Sequence, residues 1–409
     1  MGETSKRHAV IVGGSLGGLL AANMLHRAGW EVSVWERCPE ELSGRGAGIV
    51  THRELFDALA QAGVAIDDRL GVEVPARVTL DRHGAVVGEQ PLPQVLTAWG
   101  RLYGLLRAAL PEGAYHLGAD LVEVHQDGAS TTAVFRDGRE TRGDMLVGAD
   151  GIRSCVRQMV LPEVRPVYAG YVAWRGLVEE ARLSPATHAA LFERFGFCLP
   201  PREQMLGYPV AGAGDTVEPG KRRYNFVWYQ PADEGGALKR LMTDDQGRHH
   251  PDGIPPFLIS AAVIAEMRAH ADRVLAPQFA EIVRLTEKPF FQPIYDVESP
   301  RLAFGRVVLL GDSAFVARPH CGMGVTKAAG DALALADALR DPARPIPDAL
   351  AAYERERVRF GSAIVAHARQ LGAYMQAQLR TDEERANAER YRTPDAVMRE
   401  TAVSPRLAA

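Results

Sequence analysis

The residues most able to do chemistry lie near the start of the chain. Gly13-Gly14-Ser15-Leu16-Gly17-Gly18 has the spacing of a G-x-G-x-x-G turn, with Gly13, Ser15 and Gly18 in the three key places. Glycine there lets the backbone turn tightly and bring the N–H groups of a helix start against a pyrophosphate. Ser15 is the smallest replacement for the middle glycine and adds a hydroxyl that can donate to a phosphate oxygen. Glu36 closes the following strand, where an acid accepts hydrogen bonds from ribose hydroxyls. A glycine turn and a surface glutamate are each common alone. Strand, turn, helix, strand and acid in that order are not.

Two further clusters sit at the ends of apolar runs. Asp150-Gly151-Ile152-Arg153-Ser154, with Arg157, follows Met145-Leu146-Val147-Gly148. Gly311-Asp312 follows Val307-Val308-Leu309-Leu310 and leads to Pro319 and Gly322-Met323-Gly324. Open α/β sheets bind ligands at the C-terminal ends of their parallel strands. Gly322 and Gly324 free backbone N–H groups for an anion at the next helix start, and Asp312 can accept from a polyol hydroxyl. Either aspartate alone would pass for a turn cap. His320, beside Pro319, titrates near neutrality when unperturbed and can accept a proton; a solvent-facing loop histidine is the competing reading. Tyr208 and Tyr229 fall on strand-like segments and suit either a pocket wall or core packing.

These residues need elements to position them. Residues 9–12, 19–28 and 31–35 read as strand, helix and strand. Residues 75–97 alternate like strands, 99–110 have helical spacing, and 114–150 form a meander ending in a buried strand. Residues 167–230 are strand-rich, 256–287 are helical, and 306–310 form a buried parallel strand. A long helix starts near Gly324, and 348–392 are mostly helical and charged.

With 409 residues the chain is long for one core and predicts two joined domains. Its composition, 46% hydrophobic and 24% charged, is that of a globular protein. A net charge of −4 without a basic block argues against nucleic acid. Cys38, Cys155, Cys198 and Cys321 show no CxxC spacing, which argues against a zinc site, a disulfide framework or a redox dithiol and fits a reducing cytosol. His249 and His250 adjoin a turn and read as a solvated loop rather than metal ligands. No signal peptide or membrane span is legible, so a cytoplasmic location is expected.

The three clusters together, in this order over residues 9 to about 340, resemble the class A flavoprotein monooxygenases, the group of p-hydroxybenzoate and salicylate hydroxylases. The resemblance implies an α/β (α+β) fold: a Rossmann-like FAD-binding domain of the GR2 type, an interleaved mixed-sheet substrate domain and a C-terminal helical segment. The FAD domain is expected from 1–74, 98–166 and 301–368, the substrate domain from 75–97 and 167–300, and the tail from 369–409. It implies non-covalent FAD held by Gly13, Ser15, Leu16, Gly17, Gly18, Glu36, Arg37, Arg45, Gly48, Ile49, Trp99, Leu121, Asp150, Asp312, Gly322, Gly324, Val325 and Thr326. Trp99 stands where many relatives carry Arg or Gln, with Arg101 close by. Thr326 replaces a common asparagine, keeping a hydroxyl and losing the amide.

The implied cycle starts with NADH or NADPH, met by Asp150 and Arg157, reducing FAD. Reduced flavin and O2 then form a C4a-hydroperoxide that an electron-rich ring attacks. His320 and Pro319 are the implied catalytic positions, with Tyr208, Tyr229 and His320 toward the substrate. Trp174 and Arg175 read as domain-junction residues. Glu36-Arg37-Cys38-Pro39, the stretch from Leu42 to Val50, Ala169-Gly170-Tyr171-Val172-Ala173-Trp174-Arg175-Gly176 and Arg318-Pro319-His320 are similar to a branch acting on hydroxypyridines such as 2,6-dihydroxypyridine. Phenolic or polyketide-type substrates are the nearer alternative. A non-catalytic FAD-binding redox module, with the charged tail as partner surface, is the further one. A homodimer is left open.

Overall fold

Apolar side chains on both faces suit a strand covered from both sides, and the segment after residue 8 is of that kind. In the computed structural model, which describes residues 6–42, 48–67 and 69–405, it forms His8–Val12 at the centre of a six-stranded sheet. Glu31–Trp35 and Met145–Gly148 flank it in parallel. Val307–Leu309 adds in parallel to Met145–Gly148, and Tyr115–His116 to Glu31–Trp35. Because these strands run the same way, their C-terminal ends share one edge. Across that edge the chain presents Gly311-Asp312, Ala149-Asp150, Gly13 and Glu36 in turn. Clusters that lie far apart in sequence become neighbours by parallel pairing alone.

The helix after the glycine turn spans Leu16–Arg27, three residues longer at its start than the expected 19–28. Ser15 is extended, so helical geometry begins directly after it. This brings the helix N-terminus onto the turn instead of one turn away.

The second sheet has nine strands and opposite faces of different character. Val167–Glu179 pairs antiparallel with Arg223–Pro231 and Phe290–Glu298. Side chains alternate between faces with period two. Val172, Trp174 and Val178 join Trp228 and Met205 in a core under the helices Ala261–Val274 and Pro277–Leu285. Tyr171 and Ala173 face the other way, with Val227, Tyr229, Leu206 and Tyr208.

Both edges of this sheet come from the nucleotide-side segments. Gly48–Val50 pairs with Val86–Ala98, and Phe315–Val316 with Phe290–Glu298. The seam between the sheets is therefore built by the loops that leave Glu36 and Asp312. Strand Val72–Leu80 opens before residue 75, and helix Ile346–Gly372 runs unbroken across 368 and 369. Helices Asp382–Tyr391 and Pro394–Glu400 do not stand apart as a tail. Ala388, Tyr391, Val397 and Met398 share a core with Val74, Leu96 and Phe195.

Candidate active site

The nucleotide end of the site is built by close backbone contacts. Gly13 has φ +107°, and a Cβ on Gly18 would lie 1.9 Å from the Gly13 carbonyl oxygen. The Gly14 N–H donates to Glu36 Oε2 at 2.8 Å and the Cys38 N–H to Oε1 at 2.9 Å, so the turn itself fixes the acid. Helix Leu16–Arg27 has no side-chain cap and no acid in its first turn. The N–H groups of Leu16, Gly17 and Gly18 are thus left for an anion. The Leu16 side chain itself is core. A cavity of about 380 Å³ opens here, lined by Gly13, Ser15, Glu36, Arg37, Trp99, Leu121 and Asp150.

Trp99 also lines a second cavity of about 460 Å³, so a ligand extended past it reaches from one to the other. Gly48, Ile49, Asp312, Pro319, Gly322, Gly324 and Val325 supply one side, and Arg175, Tyr208, Tyr229 and Gln292 of the nine-stranded sheet the other. Helix Gly324–Ala338 again starts without a side-chain cap or a first-turn acid. A Cβ on Gly324 would meet no atom within 4 Å, so the space above this helix start is open.

Asp312 is exposed into this space while enclosed by protein. Burial pushes its carboxyl up, Lys327 opposes that, Asp331 reinforces it and Arg157 opposes it. Lys327 is buried, with Nζ 3.6 Å from Asp331 Oδ2 and no hydrogen-bond partner among the described residues. Asp331 in turn accepts from the Gly311 N–H at 3.1 Å and from Arg357 Nε at 2.7 Å. Two uncapped helix starts, an acid fixed beside the glycine turn and an aspartate in an open trench fit FAD.

Several expected site residues sit elsewhere or act differently. Arg45 lies outside the described residues. Thr326 turns its hydroxyl to His52 Nδ1 at 3.1 Å, and its side chain borders a groove on the other face of the helix with Glu54 and Met323. Asp150 borders the cavity, but its carboxylate accepts from the Ser154 hydroxyl, from the Cys155 N–H at 2.6 Å and from the Val156 N–H at 3.1 Å. It shapes the loop and caps the short helix Cys155–Val160.

Arg157 is fully buried, donating to the carbonyls of Ser313 at 2.9 Å and Ile152 at 2.5 Å. These bonds tie the Asp150 loop to the Asp312 loop. Arg157→Met should therefore lower the melting temperature and weaken FAD retention together. The unpaired carbonyls cost about 1–3 kcal/mol each. Unchanged melting with slower reduction by NADH would favour the nicotinamide-donor role over this structural tie.

His320 requires the largest correction. It is 1% exposed, its Nε2 bonds the Tyr171 hydroxyl at 2.7 Å, and its ring stands edge-on behind Tyr229 with centroids 4.5 Å apart. Pro319 borders the cavity, while the imidazole lies behind that wall. Burial first, then the Arg318 charge, depress its pKa from 6.5 to about 3. So weak a base, set behind the cavity wall, is not placed to take a proton from a ring hydroxyl.

The sign of the resulting pH effect is fixed. Between about 3 and 6.5 the unfolded chain binds a proton that the fold refuses, so this contribution to stability is complete above 6.5 and is lost as pH falls. As pH is lowered below 6.5, the melting temperature of the parent should drop more steeply than that of His320→Gln. Parallel slopes would contradict the assignment.

Tyr208 and Tyr229 do border the cavity. Burial pushes Tyr208 up to about 12 and also raises Tyr229, with Arg175 pulling both back, so both remain protonated donors near neutrality. Arg175 itself was missed as a site residue. Trp174 meets Phe291 at a tilt on the other face of the sheet, ring centres 4.9 Å apart, but Arg175 lines the cavity, and its Nε has no hydrogen-bond partner among the described residues. The signal was parity: Arg175 shares its face with Tyr171 and Ala173. Gln292, Thr401 and Ala402, also at the cavity, carried no such signal. His250 pairs with Asp244 at 2.8 Å.

Comparison with known proteins agrees with this geometry. Residues 168–296 match a family described as FAD binding domain-like, and residues 293–368 one described as FAD binding domain. The chain is 32% identical over 380 residues to 2,6-dihydroxypyridine 3-monooxygenase of Paenarthrobacter nicotinovorans, covering 92% of this chain and 93% of that one. It is 28% identical to an FAD-dependent urate hydroxylase of Klebsiella pneumoniae, over 85% of each. Among solved structures, 2,6-dihydroxypyridine-3-hydroxylase from Arthrobacter nicotinovorans superposes with a TM-score of 0.85 at 30% identity, covering 92% of this chain and 94% of that one. Klebsiella pneumoniae HpxO complexed with FAD and uric acid shares the fold, with a TM-score of 0.76 at 24% identity over 97% of this chain and 93% of that one. The chain belongs to the FAD-dependent aromatic hydroxylases of the p-hydroxybenzoate hydroxylase type. It is an FAD-dependent monooxygenase.

Proposed function

We propose that this enzyme hydroxylates a small electron-rich ring, a hydroxypyridine such as 2,6-dihydroxypyridine, using O2 and NADH or NADPH. The observation that carries the reading is Arg175, a cation in the cavity lining whose buried Nε has no hydrogen-bond partner among the described residues and whose charge acts on the phenols of Tyr208 and Tyr229 in the same lining. Bound FAD supplies electron acceptance from the nicotinamide and activation of O2.

The protein's part is to make the ring nucleophilic and keep it dry. A guanidinium stays charged at all working pH values. Beside a ring hydroxyl it favours the ionised form, which raises electron density on the carbon to be oxidised. Tyr208 and Tyr229 donate to the ring's other polar atoms. Apolar Phe195, Leu206, Val227 and Phe290 complete the wall and exclude water.

Size favours one ring over a polyketide, because the cavity of about 460 Å³ has to take the flavin ring as well as the substrate. The relative at 32% identity is named for a dihydroxypyridine, which is why that ring is placed first. A panel of hydroxypyridines, phenols and a tetracyclic polyketide, each added to the FAD-loaded enzyme with NADH or NADPH, tests the reading. Stimulated nicotinamide oxidation with a hydroxylated product is expected for a dihydroxypyridine. Stimulation by the polyketide alone would overturn the choice.

A further inference from the structure

Arg77 is a second buried guanidinium, on the strand Val72–Leu80 and 0% exposed. No carboxylate lies within ion-pair distance of it among the described residues. Its donors go instead to the end of the chain. Nη1 meets the carbonyls of Met398 at 2.8 Å and Thr401 at 2.6 Å, and Nη2 that of Ala402 at 3.2 Å. Gln94 Oε1 takes Nε at 3.0 Å and Nη2 at 2.6 Å, while the Gln94 amide donates to the Ala402 carbonyl at 3.0 Å. The guanidinium plane lies over Phe195, 5.0 Å from its ring centre. A buried charge without a counter-ion carries a large desolvation cost. Here it is offset by carbonyls that converge from a single turn of chain.

That turn is fastened at further points. The Ala402 N–H donates to the His320 carbonyl at 2.6 Å, and Ser404 Oγ to Glu54 at 3.2 Å. Ala402 is a non-glycine residue at φ +55°, a conformation that persists only where its surroundings hold it. It is pressed against Gly322, where a Cβ would come within 3.2 Å of the Ala402 Cα. Thr401 and Ala402 border the same cavity as Asp312, Arg175 and Tyr229.

We propose that the C-terminal turn around Thr401 and Ala402 is a wall of the active-site cavity, latched by Arg77 and Gln94, and that it bars solvent and small solutes from the flavin. The proposal rests on the binding of FAD in this trench and not on the choice of aromatic substrate. It gives the chain's last turn a positioning role that its charged composition does not suggest. It also gives a part to the buried charge of Arg77, which the hydroxylation chemistry does not use.

The test uses the full-length, FAD-loaded protein. Arg77→Gln removes the charge and keeps a donor, and Gln94→Leu is the milder variant. Two readings are taken without oxygen, nicotinamide or aromatic ring: hydrogen exchange of the peptide covering 394–405, and the rate at which dithionite bleaches the bound flavin. Both variants should lose protection in that peptide and bleach faster, by about tenfold for Arg77→Gln. If Arg77→Gln fails to fold, Gln94→Leu decides by the same two readings. Unchanged protection would show that Arg77 and Gln94 are no latch. Lost protection with an unchanged bleaching rate would show that the turn is no wall. Neither reading needs ring hydroxylation, so failure of the substrate assignment and failure of this proposal remain distinguishable.

Discussion

Gly18→Val is expected to yield a colourless protein that takes up no FAD on reconstitution. The reason is local. The Cβ would sit 1.9 Å from the Gly13 carbonyl oxygen, a backbone atom that cannot rotate away. The helix Leu16–Arg27 must then retreat from the turn, taking the N–H groups of Leu16, Gly17 and Gly18 out of reach of a pyrophosphate. Two or more decades of affinity should go, roughly 3 kcal/mol. The fold has other supports, since His8–Val12 is paired along its length on both sides. Far-ultraviolet circular dichroism should therefore stay near the parent's while flavin absorbance after gel filtration falls to background. A yellow variant with parental affinity would mean that the turn is not the pyrophosphate site.

Arg175→Met should have the second largest effect, on turnover rather than on cofactor. The strand Val167–Glu179 is paired on both sides, and methionine fills a similar volume without the charge. FAD content should be unchanged. Ring oxidation, as kcat/KM, should fall by about two decades, the scale of one lost charge-stabilising donor. The pH profile gives the decisive sign. Without the guanidinium the ring hydroxyl ionises at higher pH, so activity should recover as pH rises, and the parent should not need that help. The peroxide formed per nicotinamide oxidised should rise, because an un-ionised ring competes poorly for the activated oxygen. Equal losses at every pH would reduce Arg175 to a structural residue.

What could be read from the sequence was whatever depends on strand ends and local turns. Gly13, Glu36, Asp150 and Asp312 each close an apolar run, and parallel pairing places all such ends on one edge, so their convergence was legible before any coordinates. Element types were legible for the same reason, from periodicity within single segments. What escaped depends on which neighbours come from far away. His320 looks like a base in sequence; packing beneath Tyr229 and beside Arg318 sets it behind the cavity wall and weakens its basicity. Arg157 reads as a contact for the nicotinamide donor, and nothing local announces that it is buried as a tie between two loops. Arg175 was hidden in an apolar strand, where only parity with Tyr171 separates cavity from core. The segment after 369 reads as a charged tail, because nothing local announces that Arg77 accommodates its carbonyls.

In the proposed reaction one oxygen atom passes from O2 to an aromatic ring in the cavity lined by Arg175, Tyr208 and Tyr229. Its most direct test is mass spectrometry of the product formed from 2,6-dihydroxypyridine by the FAD-loaded enzyme, with NADH or NADPH, under isotopically labelled dioxygen. A ring product carrying a single labelled oxygen is expected, at close to one equivalent per nicotinamide consumed. A product whose new oxygen comes from water, or nicotinamide consumption that ends only in hydrogen peroxide with every ring offered, would contradict it.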